Sequence, residues 1–400
     1  MSAGNFLLSD NDKNLRSKKK MLRLCINQDY TITELSNELD ISIPTITKLM
    51  TEMIDDGLME DKGKQETSGG RKPSFYGLNS SAGYIIGVEV SRSVVNICLT
   101  NFLGRVINSS FGISFTLRNT EESFEELAGI IKKEIEDYGI SMDDVLTCGV
   151  TLSGRINPFT GYSFTYFISE DKPITELLEL KLGIPVIVEN DTRAMAYGEY
   201  LHGVASGEKN FLFFNVSWGL GMGMILNSKL YYGKSGFSGE IGHFPLLNND
   251  IMCRCGKVGC LETGASGSAV HRVIMEKLSE GRTSVLSEKF KNNEEITTSD
   301  IINAVREEDF LAIEAVEQIG SVLGRAIAGL INLFNPELVV IGGRYAAVGD
   351  YIMLPVKNAI NKFSLSIVSR DTSIKLSKLD DMAGPMGACL LARDNMLELI

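Results

Sequence analysis

Four hundred residues, 44% hydrophobic and 22% charged, describe a globular chain longer than one core usually holds, so two or three domains are expected. A net charge of −12 excludes wholesale coating of nucleic acid but leaves room for a local basic face, because phosphate attraction acts within about 8 Å. No stretch has the uninterrupted apolar length of a membrane span and no export signal opens the chain, so a cytoplasmic protein with reduced cysteines and no membrane partner is expected.

Residues 1–78 read as a small DNA-binding module. Lys18 to Asn27 has helical period, and Thr33 to Leu39 forms a short helix with Leu35 and Leu39 on one face. Asp40-Ile41-Ser42 makes a turn, with Ser42 placed to cap the next helix and Pro44 in its first turn. That helix carries Ile46, Leu49, Met50, Met53 and Ile54 and stops at Gly57. Two short helices across a tight turn make a helix-turn-helix, and Ser42, Thr45, Thr47 and Lys48 are the candidates for base edges and phosphates. Leu58–Lys62 and Phe75–Leu78 read as strands of a wing whose tip carries Arg71 and Lys72, candidates for the minor groove. Lys+Arg number 11 against 12 Asp+Glu over residues 1–80, which suits a helical interaction module without DNA. The six basic and no acidic residues within 13–23 favour DNA instead.

From Tyr84 the pattern changes. Tyr84–Val90, Val94–Thr100 and Arg105–Phe111 are apolar runs separated by short turns, a β-meander. Helix (Glu121–Tyr138), strand (Val145–Leu152), helix (Ile174–Leu182) and strand (Val186–Glu189) follow. Phe211–Val216 and Gly223–Leu226 begin a second β-unit, and the long helix Ala312–Phe334 precedes an apolar strand at Glu337–Gly343. A last helix, Pro385 to Leu399, is expected to pack on the first lobe. Glu189-Asn190-Asp191 closes a strand and opens a helix, the usual place for ligand groups in α/β folds, although a helix cap would use the same residues.

His243 is followed by Cys253, Cys255 and Cys260. One imidazole and three thiolates, with Gly256 and Gly259 between them for tight turns, suit a closed four-ligand structural Zn²⁺ site, one ion per chain. Three cysteines buried as small hydrophobes is the plainer alternative, but Cys-x-Cys-Gly is poor core chemistry.

Gly239-Glu240-Ile241-Gly242-His243 with Cys253-Arg254-Cys255-Gly256-Lys257-Val258-Gly259-Cys260-Leu261-Glu262 resembles the signature of the ROK family (repressors, open reading frames and kinases), and the resemblance runs from about residue 80 onward. It implies an α/β fold of the two-lobed, actin-like ATPase (ribonuclease H-like) kind, here preceded by the winged helix-turn-helix. The lobes would cover residues 82–190, completed by 385–400, and 191–384. It also implies that Asn190, Asp191, Glu240, His243 and Glu262 bind sugar hydroxyls in an interlobe cleft, Asp191 matching the general base of the kinases. Ser153-Gly154-Arg155 departs from the family's Pro-Gly, and Phe164–Ser169 lacks an Asn that many sugar-binding relatives supply.

Kinases of the family carry Asp-x-Gly-Gly-Thr and Gly-Thr-Gly as phosphate cradles. Here Glu89-Val90-Ser91-Arg92-Ser93 and Ser217-Trp218-Gly219 stand in their place, so no enzyme activity is expected. The expected protein is a sugar-responsive repressor that binds operator DNA as a homodimer or homotetramer, with a sugar or sugar-phosphate effector. A sugar kinase with an accessory DNA module is the alternative. A zinc- or redox-regulated DNA binder without sugar is a third reading, which leaves the cleft carboxylates unexplained.

Overall fold

The computed structural model describes residues 13–26, 28–64, 73–169 and 171–399. They pack as two compact units, one running to Asp191 and resuming at Gly384, the other spanning Thr192–Ala383. Among the described residues no helix is long and apolar enough to cross a membrane.

The first unit opens with three helices, α1 (Lys13–Cys25), α2 (Ile32–Leu39) and α3 (Ile43–Asp55), and a hairpin of β1 (Met59–Lys64) with β2 (Ser74–Leu78). Thr31 and Glu34 form a reciprocal capping box at the start of α2, and Asp40 ends it in the left-handed region at φ 52°. Pro44 sits in the first turn of α3 as expected. Ser42 occupies the cap position but makes no side-chain bond to the backbone; its hydroxyl lies 2.8 Å from that of Thr45. Ile46, Leu49, Met50 and Met53 bury one face of α3 against Met21, Leu22 and Leu35. Arg71 and Lys72, expected at the wing tip, lie outside the described residues.

The basic run of α1 is not an open DNA face. Lys18 is buried and pairs with Glu52 at 3.0 Å and Asp56 at 3.5 Å, and Lys19 is buried against Glu398. Arg23 bonds Glu398 and the Leu397 carbonyl, so half of the run is neutralised within the chain, and of the basic residues along 14–23 only Arg16 and Lys20 are exposed.

A five-stranded sheet in the order β5-β4-β3-β6-β9 follows, from β3 (Tyr84–Val90), β4 (Val94–Asn101), β5 (Val106–Ser114), β6 (Val145–Leu152) and, after the small hairpin β7 (Ile156–Asn157) and β8 (Tyr162–Ser163), β9 (Val186–Asn190). β3 to β5 form the antiparallel meander, while β3, β6 and β9 run parallel. The helices α4 (Glu121–Asp137) and α5 (Ile174–Leu182) bury Phe124, Leu127, Ile131 and Leu178 in the core shared with Ile86, Val88 and Val150.

The second unit repeats the plan. After α6 (Asp191–His202), β10 (Phe211–Val216), β11 (Leu220–Leu226) and β12 (Lys229–Leu230) form an antiparallel meander. Then come α7 (Gly267–Ser279), α8 (Ser287–Lys291), α9 (Thr298–Arg306), α10 (Phe310–Phe334), β13 (Leu338–Gly342), α11 (Asp350–Phe363), α12 (Ser366–Ser369) and β14 (Ser373–Leu376). The sheet order is β12-β11-β10-β13-β14, with β10, β13 and β14 parallel. Strands buried on both faces read as continuous apolar runs, as Phe211–Val216 and Leu338–Gly342 do. A meander followed by parallel strands, twice over, is the α/β architecture that the sequence implied.

The chain returns to the first unit through α13 (Ala383–Met396). It lies directly on the first sheet, where a Cβ added at Gly87 would fall 2.0 Å from the Pro385 carbonyl oxygen and one at Gly149 2.2 Å from that of Ala388. At its end Met396 and Leu397 join Met21, Leu22, Phe102 and Leu146 in one apolar cluster.

Candidate functional site

The donor atoms of His243, Cys253, Cys255 and Cys260 all lie within 4.8 Å of one another. His243 ends a single 3₁₀ turn (Ile241–His243), and the cysteines are carried by a knot stitched by bridges of Pro245 to Cys260 and Met252 to Val258. Gly256 and Gly259 both have positive φ, 82° and 75°, and a Cβ at Gly259 would fall 2.7 Å from the Leu247 carbonyl oxygen. The sulfurs of Cys255 and Cys260 are 3.6 Å apart, and Cys253 Sγ is 3.5 Å from His243 Nδ1. Zn–S bonds of about 2.3 Å in a tetrahedron set sulfurs about 3.8 Å apart, so the cluster is of a size to hold zinc. Burial pushes the Cys253 thiol up to about 12, so a thiolate at that position needs a cation beside it.

Two carboxylates flank the knot. Glu240 Oε2 is 3.8 Å from His243 Nε2, on the ring edge opposite the sulfurs, where an outer carboxylate orients a metal-bound imidazole. Glu262 Oε2 accepts from the Leu220 backbone N–H at 3.1 Å, and its Oε1 lies 3.9 Å from Cys253 Sγ. Glu262 thus ties the knot to the start of β11. No pattern in the sequence marked that link, because its ends are 42 residues apart.

In the first unit Asn190 and Asp191 meet at the end of β9. Asn190 Nδ2 donates to the Gly154 carbonyl and to Asp191 Oδ1, each at 3.0 Å, while Ser153 Oγ donates to Asp191 Oδ2 at 2.6 Å. The departure at Ser153 therefore touches the carboxylate that the family resemblance singles out.

At the first expected cradle, Glu89 is buried and accepts from Asn96 Nδ2 at 2.9 Å, and Arg92 is exposed. At the second, the Trp218 ring stands 5.5 Å from that of His271, a residue the sequence reading passed over, and burial lowers the pKa of His271. The Ser217 hydroxyl donates to Asn215 Oδ1 at 2.7 Å and accepts from the Arg344 backbone N–H at 3.1 Å.

On α3, Ser42, Thr45, Thr47 and Lys48 are all exposed. Ile43 and Thr51 share the exposed surface and were missed; the step of four from 43 through 47 to 51 was the available signal.

A model of the ROK family matches residues 85–395. The xylose repressor of Caldicellulosiruptor bescii is 29% identical over 379 residues, which cover 93% of this chain and 93% of that one. A glucokinase of Halalkalibacterium halodurans is 29% identical over 328 residues, covering 79% of this chain and 97% of its own. Among solved structures, a ROK family transcriptional regulator, a homologue of the E. coli MLC protein, superposes with a TM-score of 0.80 at 28% identity, covering 97% of this chain and 99% of that one. With the family model spanning both sheets and the His–Cys knot, the chain belongs to the ROK family.

Proposed function

We propose that the protein is a cytoplasmic, sugar-responsive transcription repressor that binds operator DNA as a symmetric dimer or tetramer and holds one structural Zn²⁺ per chain. The observation that carries this reading is coverage. The xylose repressor matches 93% of the chain, which must include most of the helix-turn-helix module, whereas the glucokinase matches 79%. The exposed polar side chains of Ser42, Thr45, Thr47 and Lys48 at the start of α3 support base and phosphate contact, and Arg71 and Lys72 are proposed as further contacts. Asn190 and Asp191 in the first unit, and Glu240, His243 and Glu262 in the second, are the proposed acceptors for sugar hydroxyls.

Kinase chemistry is argued against by bulk. Phosphoryl transfer is mainly positioning and charge stabilisation, and it needs backbone close to phosphate. Arg92 and Trp218 put side chains where small residues would let a phosphate approach. The second reading, a sugar kinase with an accessory DNA module, is favoured by Asp191 and by the glucokinase match.

The test uses the full chain. A duplex selected from a random-sequence pool is titrated by fluorescence anisotropy with and without D-xylose, D-glucose, N-acetyl-D-glucosamine and their phosphates. One sugar should change operator affinity at least tenfold, while ADP release over the same panel stays at background. Turnover on the order of 1 s⁻¹ would establish the kinase reading instead.

A further inference from the structure

The outward ridge of α3 is built of methyl groups. Ile43, Thr47 and Thr51 follow at four-residue steps along the exposed edge of the stripe formed by the buried Ile46, Leu49, Met50 and Met53. Ile43 opens the helix with 49% of its surface exposed. A single exposed isoleucine is commonplace. This one is aligned with two threonines whose hydroxyls are engaged elsewhere. Thr47 Oγ1 donates to the Ile43 carbonyl at 2.9 Å and Thr51 Oγ1 to the Thr47 carbonyl at 3.0 Å. With each hydroxyl proton committed one turn back, these side chains offer an incoming base edge no donor, only the oxygen's lone pairs and the methyl. The hydroxyls of Ser42 and Thr45 are 2.8 Å apart, so one donates to the other and one proton is left for an outside acceptor.

The same helix lacks the usual polar readers. Its sequence, Ile43–Asp55, contains no Arg, Asn or Gln. Bidentate recognition of guanine by Arg and of adenine by Asn or Gln is therefore closed to it. Lys48 is the one cationic side chain on α3, with its ammonium 3.9 Å from Glu52. Beside the Lys48 ammonium and the hydroxyl oxygens, the ridge offers apolar contact, and thymine is the only base that displays a methyl in the major groove.

We propose that α3 reads thymine methyls, so that the half-site is A·T-rich where Ile43, Thr47 and Thr51 meet the duplex, and that Ile43 sets this preference. The inference rests on the reading of the protein as an operator-binding repressor and names the class of sequence that such a repressor takes. Burying one methyl against Ile43 is worth about 0.8 kcal/mol, or about fourfold in affinity.

The experiment uses the full-length protein and a random duplex pool. The selected site should carry thymines in each half-site. The same duplex is then made with deoxyuridine at those positions, which removes the C5-methyl and leaves pairing intact. Each substitution should weaken binding about fourfold. Ile43→Ala should weaken the thymine duplex to a similar degree and bind the deoxyuridine duplex no worse than the unaltered protein does. Ile43→Val, which retains two methyls, should restore most of the preference. Half-sites read through G·C pairs, or equal binding of the thymine and deoxyuridine duplexes, would overturn this inference while leaving the repressor reading in place. A pool that yields no selected sequence would remove both.

Discussion

The carboxylate of Glu398 lies 2.7 Å from the ammonium of Lys19, joining the segment after α13 to the first helix of the N-terminal helical module. Lys19 is nearly buried at this contact, its side chain 8% exposed, while that of Glu398 is 53% exposed. Arg23 reaches the same carboxylate, and its Nε donates to the Leu397 carbonyl at 2.6 Å. The module is therefore held to the first unit by charge as well as by the shared cluster of Met21, Leu22 and Leu397.

Glu398→Gln leaves a buried ammonium without its acid partner. After screening, the loss is on the order of 1 kcal/mol, which corresponds to a fall of about 2–4 °C in Tm for a unit of this size. The hydrogen bond from Lys19 holds the Glu398 carboxyl below its ordinary value. Its contribution is thus fully present above the unfolded pKa of about 4.3 and is lost as pH falls through the folded value. Thermal melts of both proteins at pH 7 and at pH 3.5 should show the difference at the first and a narrower gap at the second.

Ser153 and Asn190 orient Asp191 through donors at 2.6 and 3.0 Å. Asp191→Ala should abolish the response to sugar and leave operator affinity within threefold of the unaltered protein. Ser153→Ala removes one hydrogen bond of about 1 kcal/mol and should weaken sugar binding about fivefold. Titration of the pre-formed protein–DNA complex with the active sugar measures both. Loss of operator binding by Asp191→Ala alone would contradict the separation of sensing from DNA reading.

Metal analysis should return one zinc per chain. Cys255→Ser, or exhaustive chelation, should release it and loosen the loop through which Glu262 reaches the Leu220 N–H. The sugar response should then fall more than operator affinity does. Metal-free protein with an unchanged response would dismiss the structural role.

Trp218 is the single tryptophan of the chain, so its fluorescence reports on the His271 contact without interference. Burial lowers the His271 pKa from its ordinary 6.5. Protonation should quench Trp218 with a midpoint below that value, and His271→Phe should remove the transition. By linkage, the stability tied to neutral His271 is complete above the unfolded pKa and declines as pH falls through the folded one. The unaltered protein should therefore lose Tm relative to His271→Phe between pH 7 and pH 5.

Elements buried on both faces were legible at their ends. Tyr84–Val90, Val145–Leu152 and Phe211–Val216 have the bounds that apolar runs and turn residues mark, and so does the half-exposed helix Ile174–Leu182. The gathering of His243, Cys253, Cys255 and Cys260 was equally plain, because they fall within 18 positions and glycines punctuate them. The two-lobed plan came from family resemblance rather than from periodicity. Charge in α1 misled, since the acids that neutralise Lys18, Lys19 and Arg23 sit at 52, 56 and 398, beyond any local window. Hydroxyl direction was also out of reach. Ser42 has the right residue type and place for a cap, yet its partner is another side chain.

Gly87 and Gly149 give α13 a seat of bare backbone, with no room for even a methyl beneath Pro385 and Ala388. Layers separated by side chains can creep, each small slip absorbed by a rotamer change, but backbone resting on backbone has no such compliance. The helix is in effect keyed to the sheet, a stiff rod with the Leu397–Glu398 segment as its tip. A packed contact of this kind shifts between discrete arrangements rather than bending by degrees. Each protomer should consequently answer its effector as a two-position device, and a half-induced population should be a mixture of engaged and released readers.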